Sequence, residues 1–269
     1  MKKYLIVFYL ALFLVSGSEA RAGWIIRMQS TTSDGDVSYQ TLMIEDGKIR
    51  SESEGNIYIF DLKANRLIMI DNASQLFLEE KLSGLRSTYH KATVSFIQQF
   101  IHQLNTQEQK MYGQLFAEME KMYEPIDPVS LEKINISIKN TGEKDEIAGY
   151  PAEKYIVSVD DVEVEQIWLA PTLDVSSEID LVKISGIFGD LRPVVGEEIL
   201  YEYTSAYISL LKKGFEMRSI DVHGDKNEVQ HVERHQIDNE LFSVPHGYKK
   251  ITLEELMMRQ MGNMDTDEK

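Results

Sequence analysis

Three alternating side chains near the end of the chain, His231, Glu233 and His235, carry the densest chemistry in its 269 residues. In a strand they share one face, because successive side chains point to opposite sides. Two imidazoles and a carboxylate are a familiar part of a zinc ligand set. The surrounding strand is rich in charge, however, and its hairpin neighbour adds only His223 and Asp221. A solvated strand face is the stronger reading, so no metal is assigned; His90, His102 and His246 stand alone. Ser130 with Lys133, and Ser209 with Lys212, fit a Ser-x-x-Lys spacing that recurs by chance in a chain this rich in both residues. There is no Gly-x-Ser-x-Gly elbow, no Walker loop, no dinucleotide glycine turn and no His-Glu-x-x-His. The chain contains no cysteine, which excludes a thiol nucleophile, a disulfide framework, thiolate metal sites and a cysteine-linked lipid anchor. No catalytic residue and no cofactor are expected.

Elements that could position a site alternate in period. From Trp24 the apolar residues recur every second position: Trp24, Ile26 and Met28, then Leu42 and Ile44 ahead of an Asp46-Gly47 turn. Short strands follow at Ile57 to Phe60, Leu67 to Ile70 and Gln75 to Glu79, the spacing of an antiparallel meander. The period then becomes helical. Val94, Ile97, Ile101 and Leu104 form one stripe, and Met111, Leu115, Met119 and Met122 another. Thr106 and Gln109 have the spacing of a capping box opening the second helix, and Pro125 and Pro128 stop it. A strand at Ile134 to Ile138 leads to a hairpin from Ala152 to Leu169 across Asp160-Asp161. A helix interrupted by glycine is expected over Ile179 to Leu191, and another over Ile199 to Lys213 with Gly214 as its left-handed stop. A last hairpin spans Phe215 to Ile237 through Gly224. Thr252 and Glu255 form a second capping box, before a helix carrying Leu253, Leu256, Met257 and Met261 and closed by Gly262.

The first 22 residues read as a leader. Lys2 and Lys3 precede an apolar run from Tyr4 to Val15, shorter than the ~20 residues a spanning helix needs. Ala20-Arg21-Ala22 and Ser18-Glu19-Ala20 both fit a cleavage site. The expected organisation is therefore a signal peptide over 1–22, one domain over 23–262 with a helical insert at about 92–124, and an acidic tail over 263–269. The style of the leader points to a periplasmic protein, secreted if the source has no outer membrane, with no transmembrane segment after removal of the leader. The formal charge of −16 opposes binding to nucleic acid, which requires a basic face to displace counterions. Removing residues 1–22 takes away three basic groups and one acidic group, giving −18.

Methionine- and phenylalanine-rich helices above one-sided apolar strands suggest a deformable cavity. Its expected lining is Trp24, Ile26, Met28, Leu42, Ile44, Phe96, Phe100, Leu115, Met119 and Trp168. The expected function is non-enzymatic binding or carriage of a hydrophobic ligand, a lipid or a lipoprotein acyl chain. The alternatives are an envelope module with a self-filled core that meets an envelope protein partner, and a hydrolase.

Two stretches carry a family resemblance. One is Ile147-Ala148-Gly149-Tyr150-Pro151-Ala152-Glu153-Lys154-Tyr155-Ile156-Val157, followed by Glu165-Gln166-Ile167-Trp168-Leu169. The other runs from Leu241-Phe242-Ser243-Val244-Pro245 through His246-Gly247-Tyr248 to Ile251. Together with the early strands and the leader, they resemble exported proteins of the LolA/LolB-like lipoprotein-carrier class, and within it a family of exported domains of the DUF4412 type. The resemblance implies an α+β fold, an incomplete antiparallel β-barrel (a half-barrel sheet) wrapped over inserted helices. In the carriers the enclosed space takes up acyl chains, and an arginine stands near its mouth; Arg27 and Arg50 fall in that region here. The resemblance carries over no catalytic residue.

Overall fold

The computed structural model describes residues 22–102, 104–122, 124, 131–191 and 200–264. The expected leader lies almost wholly outside them, as do Pro125, Pro128 and the tail from residue 265. The fold is α+β, built on one open twelve-stranded sheet ordered β12-β6-β5-β4-β3-β2-β1-β11-β10-β9-β8-β7. Its strands are β1 (Gly23–Thr31), β2 (Val37–Glu45), β3 (Lys48–Ser53), β4 (Asn56–Asp61), β5 (Arg66–Asp71), β6 (Leu76–Lys81), β7 (Ile136–Ile147), β8 (Tyr150–Val159), β9 (Val162–Ala170), β10 (Phe215–Asp221), β11 (Lys226–His235) and β12 (Lys249–Lys250). Every neighbouring pair is antiparallel except β12 on β6. The helices are α1 (Leu85–Ile101), α2 (Thr106–Met122), α3 (Leu181–Leu191), α4 (Ser205–Leu211) and α5 (Leu253–Met264).

Two meanders meet where β1 pairs with β11, Ile26 opposite Val232 and Met28 opposite Val229. Tight turns set the registers. Asp46 and Gly47 both take positive φ, as do Asp160 and Asp161, the geometry that matches the twist of two-residue hairpins. Along β1 to β6 one face carries Trp24, Ile26, Ile44, Ile49, Phe60, Leu67 and Leu78. These residues pack against Leu85, Tyr89 and Ala92 of α1, Ile184 and Ile187 of α3, and Leu253 of α5. Alternation sends Ile57, Ile59, Ile68 and Ile70 to the other face, where Ile237, Phe242, Val244 and Tyr248 of the 236–248 segment cover them. β4 and β5 are thus buried on both sides, although they arise from a simple meander.

Local chemistry departs from expectation in three places. The cap of α2 is Asn105, not Thr106: the Asn105 side chain accepts from the backbone N–H groups of Gln107 and Glu108, and Glu108 accepts from Asn105 N–H at 2.8 Å. A box built on Asn and Glu lies one residue ahead of the Thr/Gln pattern, and its charged partner makes the stronger hydrogen bond. Gly214 is not a left-handed stop, since it is absent from the positive-φ glycines. A Cβ there would lie 2.6 Å from the Ala170 carbonyl carbon, so close passage of two backbones demands glycine. The last helix continues through Gly262 to Met264. At its start the Thr252 box forms as read: Glu255 N–H donates to Thr252 Oγ1 at 3.1 Å, and Thr252 N–H to Glu255 Oε2 at 2.9 Å.

Candidate functional site

A cavity of about 520 Å³ opens between the sheet and α5 at the outer end of β4, β5 and β6. Tyr58, Met69 and Leu78 stand in register across the three strands, so their side chains share the helix-covered face and form the floor together with Leu76. Ile251 and Leu256 make a wall. That wall is placed by the parallel β12–β6 pairing, continued where Ile251 N–H donates to the Phe77 carbonyl at 2.8 Å. The Tyr89 hydroxyl reaches Met69 Sδ at 3.2 Å, tying α1 to the floor. The mouth is polar, with Asn56, Asp71, Ser74 and Arg259. Hydrogen bonds from Ser74, its side chain foremost, hold the Asp71 carboxyl below its ordinary range, helped by the charge of Arg259. An apolar floor with a few polar groups at the rim suits one slim amphiphile, and the volume falls in the range of small-molecule sites, roughly 300–1,000 Å³.

A second cavity, about 330 Å³, lies between α3, α4 and the β9–β10 strands. Its buried feature is Glu165, which accepts from the Tyr207 hydroxyl at 3.0 Å and the Tyr201 hydroxyl at 3.4 Å. The two rings meet edge to face at 5.4 Å. Burial, and then the nearby Glu165 charge, push the Tyr207 phenol well above its ordinary range. Glu202, Glu216, Asp221 and Asp225 add acidity to the lining, which makes this space a poor host for hydrocarbon. Glu165 was legible in the sequence as a carboxylate in line with Ile167 and Leu169, on the apolar side of a strand.

None of the ten residues expected to line a cavity borders either space. Trp24, Ile26 and Ile44 are packed in the core beneath the helices, with Met28 and Leu42 partly buried against it. Phe96 packs with Ile97 and Phe116 between α1 and α2, where Phe100 and Met119 flank it. Leu115 is 46% exposed. Trp168 is buried on the opposite side of β9 from Ile167, its ring covered by Lys154 and Arg218 at 5.0 Å each. Neither candidate arginine stands at the mouth of the larger cavity. Arg27 pairs with Glu233 on the surface at 3.4 Å, and Arg50 is buried against Glu52 and the Leu241 carbonyl. His231 and Glu233 approach to 3.6 Å, and no group of three metal-binding side chains occurs among the described residues. No helix among the described residues is long and apolar enough to cross a membrane.

Comparison with known proteins places the chain in a family. No curated protein matches it. Solved structures with a similar outline include PNGF-II in a C2 crystal form, at 12% identity and a TM-score of 0.40, covering 89% of this chain and 32% of that one. MucB in complex with MucA(peri) gives 11% and 0.35, covering 87% of this chain and 58% of that one. The Pseudomonas aeruginosa MucA/MucB complex gives 11% and 0.35, covering 87% and 60%. The chain thus spans between a third and three fifths of these proteins. The model of the family described as a domain of unknown function (DUF4412) matches residues 98–248, more than half of the sequence, and the chain belongs to that family.

Proposed function

We propose that the protein is an exported, periplasmic, non-enzymatic binder that holds one hydrophobic ligand, a lipid or an acyl chain, between β4–β6 and α5. The observation that carries this reading is the 520 Å³ cavity, floored by Tyr58, Met69, Leu76 and Leu78 and polar at its mouth. Its location between sheet and helices is the one the lipoprotein-carrier resemblance implies. Export rests on the leader pattern of residues 1–22, and the polar mouth fits a ligand with a single polar head.

Native mass spectrometry of protein purified from a membrane-containing host tests the ligand. Co-purified lipid mass is expected, together with uptake of a fluorescent fatty acid that Leu256→Glu abolishes. A clean ligand-free mass with no uptake overturns the proposal.

A second reading, an envelope module with a filled core and no ligand, is favoured by one observation. Ile26, Ile44 and Phe96, all expected to line a cavity, are 0%, 1% and 2% exposed. It requires that Leu256→Glu change nothing but stability.

A further inference from the structure

Antiparallel order brings the turns between β1 and β2, β8 and β9, and β10 and β11 to the same end of the sheet. That is also the end at which the 520 Å³ cavity opens, since Asn56 begins β4, Asp71 ends β5 and Ser74 lies in the β5–β6 turn there. Two of the three turns are joined: Ser33 N–H donates to Asp225 Oδ1 at 2.8 Å. Asp221 accepts from the backbone of His223 and Asp225, which fixes the β10–β11 turn.

Two kinds of side chain face outward from this rim. Asp34, Asp36, Asp160 and Asp161 are exposed, and among the described residues none of the four has an ion-pair partner. Between them stand apolar side chains where the chain was free to place polar ones. Val162 is 61% exposed, Val222 58%, Val37 48% and Tyr39 65%. Of the lysines nearby, Lys226 is already held by Glu228 at 2.9 Å, and exposed Lys133, just ahead of β7, pairs with none of the four aspartates among the described residues. The opposite end differs: Lys63 meets Asp46, Arg66 meets Asp61 and Arg234 meets Glu178, so its turns are largely neutralised.

Charge of one sign repels an anionic lipid leaflet and nucleic acid alike, and attracts a basic surface. Exposed valines at hairpin tips lose hydrating water when small apolar side chains cover them. We propose that this rim is the docking surface for a segment of a partner polypeptide in which lysine or arginine alternates with small apolar residues. The segment lies across the β1–β2, β10–β11 and β8–β9 turns. The cavity mouth, on β4 to β6, shares this end of the sheet but none of these turns, so docking does not depend on what fills the cavity.

The test uses the purified protein and a short fluorescein-labelled peptide alternating Lys and Val, followed by anisotropy. Saturable binding that weakens steeply with added salt is expected, with a Lys–Ser peptide binding several-fold more weakly. Asp34→Asn, Asp36→Asn, Asp160→Asn and Asp161→Asn combined should weaken binding by at least about tenfold, as loss of complementary charge does at other interfaces. Asparagine tolerates the positive φ of residues 160 and 161, so the turns survive the change. A charge-matched control, Glu118→Gln, Glu120→Gln, Glu146→Gln and Glu240→Gln, should alter affinity less than twofold. Val162→Ser with Val222→Ser should erase the preference for Lys–Val over Lys–Ser. Absence of binding overturns the proposal, as do equal losses in the rim and control variants, equal affinity for the two peptides, or preferential binding to phosphatidylglycerol vesicles.

Discussion

Truncation of Ile26 separates a packed sheet face from one that lines a ligand space. Ile26 lies on β1, opposite Leu42 and Val232, and is completely buried. Ile26→Ala removes three carbons, worth about 2.4 kcal/mol at ~0.8 kcal/mol each. Its neighbours come from β2, β11 and the overlying helices, so they cannot collapse into the gap. A residual void of roughly 60 Å³ adds about 1–2 kcal/mol at ~24 cal/mol per Å³. The expected loss is about 3–4 kcal/mol. In urea, with a slope of about 2–3 kcal/mol/M for a chain of this size, the midpoint should fall by roughly 1–2 M without a change in slope. Fatty-acid uptake should be unaffected. Leu256→Ala should do the reverse: Leu256 is only partly buried and already borders empty space, so stability falls by about 1 kcal/mol while uptake drops. A loss below about 1 kcal/mol for Ile26→Ala would refute the reasoning. It would mean that Ile26 already faces a void and that the ligand space extends under β1 and β2.

Three further outcomes test the local physics. Gly214→Ala forces a Cβ to within 2.6 Å of the Ala170 carbonyl carbon and 2.7 Å of its oxygen; thermal denaturation should show a loss of about 2 kcal/mol or more, since backbone yields poorly to overpacking. Asn105→Ala should cost about 1 kcal/mol and speed amide exchange at Gln107 and Glu108, whereas Thr106→Ala should leave those amides unchanged. The Glu80 carboxyl is held above its ordinary range, first by burial and then by the charge of Glu254 on α5. Its contribution to stability is therefore fully present below the unfolded pKa and lost as pH rises through the folded one. Glu80→Gln should raise the midpoint temperature near neutral pH and leave it unchanged well below the carboxylate range.

Strand positions were legible because burial on one face writes a period of two into Trp24 to Met28, and because Asp46-Gly47 and Asp160-Asp161 each supply the positive φ that a tight hairpin demands; the strand expected over Ile134 to Ile138 begins at Ile136 and runs on to Ile147. The order of strands was less accessible. Pairing β1 with β11 joins residues some two hundred positions apart, such as Arg27 and Glu233, and no local pattern encodes it. Gly214 shows the same limit at one residue. Its context looks like a helix stop, yet what requires glycine is Ala170, which only the folded chain brings near. Covering of the outer face of β4 and β5 by Ile237, Phe242 and Tyr248 likewise explains why those strands are apolar on both sides.

Most of the expected cavity lining lies in packed core for a related reason. Periodicity identifies which side chains leave the solvent, and Ile26, Ile44 and Phe96 do leave it. It does not say whether protein or a ligand replaces the water. That depends on how far each helix descends onto the sheet. At β1 and β2, α1 and α3 add Leu85 and Ile184 to the same packed core and close the space. At the end of β4 to β6 the cover is α5, which reaches the sheet through a two-residue parallel strand and a capped turn. Leu256 stops short of Tyr58 and Met69, so a hollow remains. The cavity is therefore a property of the docking height of α5. Its residues carry no signature beyond a hydrophobic strand end with Asn56, Asp71 and Ser74 at the turns, which any meander would have. Ligand affinity should accordingly respond to changes that tighten or loosen α5, such as Glu80→Gln, which removes its repulsion from Glu254, even where no cavity residue is touched.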